Sequence, residues 1–122
     1  MVLERIVSYK RRMVMQRQES GASREPIEPS TRSLEHVHAV SQSVARPVLW
    51  KDVIVDASQV RRARRYGADA VLLMLSVLDD AAFGRCFQEA TRLGMDVVAE
   101  VHNAEELDRA LAHPSEPPII GI

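Results

Sequence analysis

The sequence predicts an α/β domain built on a parallel sheet. Beyond Ser33, short and nearly continuous apolar runs alternate with segments of helical periodicity. The runs are nearly continuous in apolar character, as in a parallel sheet covered by helices. The boundaries also carry the right chemistry: capping side chains stand before the helical segments and glycines after two of them.

Residues 1–18 read as an amphipathic helix, with Val2, Leu3, Ile6, Val7, Met13 and Val14 at helical spacing and Arg5, Lys10, Arg11, Arg12 and Arg17 among them. A helix docked through its apolar stripe, with a solvated basic face, is preferred over a membrane or anion surface. Residues 19–32 turn polar and contain Gly21, Pro26 and Pro29, which marks a linker. Residues 33–122 hold the regular pattern. A helix runs from Ser33, read as its N-cap, to about Val44. Strand Val48 to Lys51, helix Ala57 to Tyr66 and strand Ala70 to Leu75 follow. A helix from Asp80 to Leu93, strand Asp96 to Val101, helix Ala104 to Leu111 and a last apolar run from Ile119 to Ile122 complete the order. Asp56 with Gln59, and Asn103 with Glu106, have capping-box spacing, and Gly67 and Gly94 suit left-handed helix ends. Parallel strands joined by helices require right-handed crossovers.

With 122 residues the chain holds one domain at most, and 46% hydrophobic residues suit a packed core rather than disorder. The formal net charge of −1 gives no reason to expect a nucleic-acid or membrane partner. Cys86 is the single cysteine, so no internal disulfide forms, and its place in a helical segment reads as packing. No apolar run reaches the ~18 residues of a membrane span, and no secretory signal opens the chain, so a soluble cytoplasmic protein is expected.

Two charges interrupt the apolar strands near their C-terminal ends: Lys51 after Val48-Leu49-Trp50, and Glu100 after Val97-Val98-Ala99. Charged side chains are rarely buried unpaired. In parallel α/β folds the strands' C-terminal ends are where ligands bind. One strand separates the two residues, and alternate strands of a barrel contribute to one layer, so a lysine able to give a proton and a carboxylate able to hold positive charge can face one substrate. The alternative is structural: Lys51 reaches water and Glu100 makes a salt bridge. By alternation Trp50 points away from Lys51, toward the helices.

Other clusters carry less. His36 and His38 diverge on a helix, and no further ligand completes a metal site. Arg61, Arg62, Arg64 and Arg65 read as a solvated helix face without the interleaved aromatics of a nucleic-acid surface. Asp79 and Asp80 open a helix, where negative charge favours the dipole.

The runs Pro47-Val48-Leu49-Trp50-Lys51-Asp52, Gly67-Ala68-Asp69-Ala70, Met95-Asp96-Val97-Val98-Ala99-Glu100-Val101-His102 and Ile120-Gly121-Ile122 resemble the indole-3-glycerol-phosphate synthase family. Val2 to Arg11 and Ser33 to His36 look like family segments that precede the barrel and its third strand. The resemblance implies a partial (β/α)8 barrel carrying about four parallel strands, the family's third to sixth. It also implies closure of a pyrrole ring on 1-(2-carboxyphenylamino)-1-deoxyribulose 5-phosphate, with loss of carbon dioxide and water. No metal or organic cofactor is implied. Lys51 matches the general acid and Glu100 the carboxylate that holds charge in the cationic intermediate. Leu72 matches an apolar wall of the aromatic pocket, and Val53 stands where the family usually has a phenylalanine against the substrate.

A full barrel of this kind needs about 250 residues. The family's first two and last two β-α units, with their glycine-rich phosphate loops, find no match here, so the resemblance implies a truncated barrel with impaired activity on its own. Partners expected are a phosphorylated small molecule and, through open sheet edges, a second copy or a complementary barrel half. The alternative is a non-catalytic half-barrel that serves as an interaction module.

Overall fold

The computed structural model describes residues 29–113 and 118–122. The N-terminal helix read at residues 1–18, and most of the linker read at 19–32, lie outside the described residues. Four helices and four strands alternate: α1 (Pro29–Ser43), β1 (Leu49–Trp50), α2 (Ala57–Arg65), β2 (Ala70–Met74), α3 (Asp80–Arg92), β3 (Asp96–Glu100), α4 (Ala104–Leu111) and β4 (Ile119–Gly121). The strands form one parallel sheet in the order β1-β2-β3-β4. The expected parallel α/β architecture is therefore present.

Alternation along the strands sorts the side chains into two faces. Trp50, Val71, Leu73, Val97 and Ala99 are buried and join the core formed with the helices. Leu34 and Val37 of α1, Val60 and Ala63 of α2, Phe83, Cys86, Phe87 and Ala90 of α3 and Ala110 of α4 supply the other side of that core. The second face carries Leu49, Ala70, Leu72, Met74, Asp96, Val98, Glu100, Ile119 and Gly121. The register Leu49↔Ala70↔Asp96, Leu72↔Val98↔Ile119 and Met74↔Glu100↔Gly121 ties them together. One face of the sheet is thus packed by helices, as expected. The other has no covering layer among the described residues.

The caps follow the sequence closely. Asp56 accepts the Ser58 N–H at 2.9 Å, and Gln59 Oε1 accepts the Asp56 N–H at 3.1 Å, completing the box at the start of α2. Asp79 accepts the Ala82 N–H at 2.8 Å to start α3, and Asn103 accepts the Glu106 N–H at 2.8 Å to start α4. Glu106 reaches back to the His102 N–H at 2.9 Å, one residue before the N-cap. Gly67 has φ +101° and Gly94 φ +71°, the left-handed region in which a Cβ is strained. At Gly67 a Cβ would also collide with the Ser41 side chain of α1.

Three expectations are corrected. α1 begins at Pro29, whose fixed φ and missing N–H suit a first helical position, so Ser33 lies within the helix. Its hydroxyl accepts the Trp50 indole N–H at 2.8 Å, fastening α1 to β1. β1 is two residues long, and Val48 ahead of it turns its N–H to a side chain while its carbonyl still joins the β1·β2 ladder. Its N–H goes to the Asp69 carboxylate at 2.8 Å, and its carbonyl accepts the N–H groups of Asp69 and Ala70. The arginine cluster is split: Arg61, Arg64 and Arg65 are exposed, but Arg62 is buried.

Candidate functional site

Parallel pairing brings every strand's C-terminal end to the same side of the sheet, and that side holds both charged candidates. Lys51 is the first residue beyond β1 and is exposed. Among the described residues no carboxylate lies within ion-pair distance of it. Glu100 closes β3, is partly buried, and faces the uncovered side with Met74 and Gly121 as register neighbours.

The register also sets their level. Extending the β1·β2 pairing by one residue sets Lys51 at Leu72, which pairs with Val98. In an eight-stranded barrel of this class, one level of the mouth climbs by about one residue per strand relative to that register. Two strands on from Lys51, that level falls on Glu100. Only that stagger in a closed barrel would bring the two side chains to one layer; in the sheet itself Leu72, Val98 and Ile119 share their face toward the N-terminal side of Glu100. Leu72 is largely buried, and Val53 is half-buried in the β1-α2 loop.

Gln59 fixes that loop. Its Oε1 accepts the Val55 N–H at 2.7 Å and the Asp56 N–H at 3.1 Å, while its Nε2 donates to the Val53 carbonyl at 3.2 Å. The side chain is 3% exposed, so these bonds form away from competing water. Asp52 Oδ1 accepts the Val53 N–H at 2.7 Å. The backbone that follows Lys51 is held by side chains rather than by the sheet.

His102, which sequence reasoning did not single out, adjoins Glu100. Its Nε2 lies 3.3 Å from Glu100 Oε2, and its backbone N–H is held by Glu106. The sequence showed only the proximity: His102 stands two residues beyond Glu100, the last residue of β3. Arg109 was missed as well. It ties α4 to the β2-α3 connection through Asp80 at 2.7 Å, the Leu75 carbonyl at 3.0 Å and the Leu78 carbonyl at 2.6 Å. Among the described residues no cluster of three or more His, Cys, Asp or Glu is arranged to hold a metal ion. No helix among them is long and apolar enough to cross a membrane.

Two cavities lie elsewhere. One of about 470 Å³ is lined by Asp80, Phe83, Asp108, Arg109, Ala112 and His113, between α3 and α4. Another of about 330 Å³ lies at the opposite end of β3 from Glu100, against Met95, Asp96 and Ile119. Neither is lined by Lys51 or Glu100. Cys86 sits in the core, where burial and the nearby Asp56 charge push its thiol up to about 12, against a partial offset from Arg85. This is the environment of a packing cysteine, not a nucleophile.

A parallel sheet with helices packed on one face, its strands joined by crossover helices, is the arrangement of a (β/α)-barrel segment. A family model described as indole-3-glycerol phosphate synthase matches residues 30–122, and the chain belongs to that family. It is 43% identical over 90 residues to indole-3-glycerol phosphate synthase of Pelodictyon phaeoclathratiforme, covering 74% of this chain and 34% of that protein. It is 41% identical over 90 residues to the synthase of Hyphomonas neptunium, covering 74% of this chain and 33% of that one. Over 79 residues it is 52% identical to the tryptophan biosynthesis protein TrpCF of Yersinia pestis, covering 65% of this chain and 17% of that protein. The chain thus spans about a third of the length of the two synthases.

Proposed function

We propose that this chain carries the acid-base half of an indole-3-glycerol phosphate synthase site, on the strands that correspond to the family's third to sixth. The observation that carries the reading is that Lys51 and Glu100 both stand at the C-terminal ends of parallel strands, with one strand between them. The substrate is 1-(2-carboxyphenylamino)-1-deoxyribulose 5-phosphate. Lys51 gives a proton to the ribulose carbonyl oxygen as the aromatic ring carbon attacks the carbonyl carbon. The ring carboxylate then leaves as carbon dioxide, which restores the benzene ring; the new hydroxyl takes up a proton and leaves as water while the adjacent ring CH2 gives up a proton, which completes the aromatic pyrrole. Glu100 faces the positive charge of the intermediate, and His102 holds that carboxylate in place. Leu72 and Val53 flank the aromatic ring of the substrate. A positioned acid accelerates such a step by about 10² to 10⁴.

Among the described residues one face of the sheet has no covering layer, and that limits a site built on these strands alone. Electrostatic catalysis depends on a dry, preorganised site, and exposed Lys51 has neither condition in a single copy. Activity of the isolated chain is therefore impaired, and completing the mouth requires further strands at the sheet edges. A non-catalytic half-barrel is the second reading, favoured by the same uncovered face. The buried, unreactive thiol of Cys86 suits a reducing cytoplasm. Turnover of the substrate, followed by indole fluorescence beside Lys51→Ala, tests the reading. Product that disappears in the variant supports it; no product from the unsubstituted, folded chain overturns it in favour of the half-barrel.

A further inference from the structure

We infer that Arg109 of α4 is a positioning residue for Glu100: it holds the β2-α3 turn, and that turn fixes the end of β3 where Glu100 stands. The inference rests on the synthase reading for what Glu100 does, and on the hydrogen bonds alone for what holds it.

The turn at 75–78 leaves the C-terminal end of β2, the strand between those that lead to Lys51 and Glu100. Its backbone groups are taken up in two directions. The Leu75 N–H donates to the Glu100 carbonyl at 3.1 Å, one residue beyond the register pair Met74↔Glu100. The Val77 and Leu78 N–H groups fold back on the Met74 carbonyl at 3.1 Å and 3.0 Å. The Leu75 carbonyl instead accepts from Arg109 Nη1 at 3.0 Å, and the Leu78 carbonyl from Nη2 at 2.6 Å. Leu75 is thus gripped from both sides, by Glu100 through its N–H and by Arg109 through its carbonyl. The buried side chains of Leu75 and Leu78 anchor the same turn in the core.

The residue type matters. Nε, Nη1 and Nη2 each meet a different acceptor, the third being Asp80 Oδ1 at 2.7 Å. A planar guanidinium reaches three acceptors in fixed directions, whereas a lysine ammonium on a flexible stem does not hold that geometry. The three bonds are unequal. The Asp80 side chain is 79% exposed, so its ion pair is screened and weak. The two carbonyl contacts are partly buried and charge-assisted, and they carry the clamp.

α4 therefore acts on Glu100 twice. At the start of the helix Glu106 holds the His102 backbone, and the imidazole meets the carboxylate. One helical turn further on, Arg109 holds the β2-α3 turn that bonds the Glu100 carbonyl. The helix that follows β3 thus sets both the backbone and the side chain of the strand's last residue. Loss of such positioning costs rate, because charge stabilisation in a transition state depends on place.

The test is amide hydrogen exchange and side-chain carboxylate resonances, measured by NMR on the full 122-residue chain. In the unsubstituted chain the Leu75 amide is expected to be as protected as those within the β2·β3 ladder; exchange as fast as in an open loop overturns the inference. Arg109→Lys keeps the charge and loses the fork. It is expected to raise exchange at Leu75, Val77 and Leu78 ~10-fold or more while the amides of α2 hold, and to shift the Glu100 carboxylate resonance. Asp80→Asn removes only the exposed pair and leaves both readouts unchanged. Uniformly faster exchange in Arg109→Lys, with the Glu100 resonance unmoved, makes the arginine a stabilising residue only and overturns the inference. So does an Asp80→Asn effect equal to that of Arg109→Lys. In turnover, Arg109→Lys lowers kcat about 5-fold with KM within about 2-fold. The NMR readouts need no turnover, so a parent chain without product contradicts the synthase reading while the resonances still decide this one.

Discussion

His102 Nε2 lies 3.3 Å from Glu100 Oε2, while the backbone N–H of the same histidine is held by Glu106 at 2.9 Å. The start of α4 therefore positions the imidazole, and the imidazole positions the carboxylate at the end of β3. Both side chains are partly open to water, so the contact contributes little to folding.

His102→Ala is expected to leave stability within about 0.5 kcal/mol, because exposed polar pairs are weak. In a turnover-competent assembly it lowers kcat by about 5-fold, the equivalent of ~1 kcal/mol of lost orientation. Urea unfolding and kcat measured on the same preparation check both halves. A loss of stability without a loss of rate would make His102 structural.

Gln59→Ala is expected to cost about 2–3 kcal/mol. It removes both acceptor contacts to Val55 and Asp56 and leaves the Val53 carbonyl without its buried donor. The midpoint of urea unfolding measures this. Gln59→Glu keeps the acceptor and loses the donor, and is expected to fall between the two.

Gly67→Ala and Gly94→Ala separate backbone strain from collision. Both glycines have positive φ, so each substitution costs about 1 kcal/mol or more from conformation alone. At Gly94 the added methyl meets open space, whereas at Gly67 it meets Ser41. The larger drop in Tm is expected at Gly67, and Gly67→Ala combined with Ser41→Gly is expected to recover part of it.

Cys86 gives the alkaline dependence. Its thiol is raised from 9.0 to about 12 in the folded chain, so the folded state binds more protons than the unfolded state between those values. Stability from this group is complete below about pH 9 and declines as pH rises toward 12. Urea midpoints across that range in wild type and Cys86→Ala, compared by slope, measure it. A thiol reagent at pH 8 is expected to label the native chain only through unfolding.

What was legible in the sequence is the local chemistry. The four strands, the Asp56 and Asn103 caps and the left-handed Gly67 and Gly94 each depend on residues close in the chain, and the pattern shows them. The orientation of Trp50 away from Lys51 followed from strand alternation alone. Long-range partners were not legible. Val48 pairs with Asp69, Ser33 with Trp50, and Arg109 with carbonyls more than 30 residues away. The Trp50 contact turns Ser33 from a cap into a fastening. Arg62 shows the same limit: four arginines in five residues look like one solvated face until helix packing buries one of them.

The central claim is that Lys51 and Glu100 act on one substrate as a unit. A double-mutant cycle on turnover of 1-(2-carboxyphenylamino)-1-deoxyribulose 5-phosphate, with Lys51→Ala, Glu100→Gln and both together, tests it most directly. Residues that share one reacting centre are strongly non-additive. The double variant is therefore expected to be about as slow as the worse single variant, with circular dichroism unchanged in all three. Losses that simply multiply, or a folded parent chain with no turnover to lose, would contradict the claim.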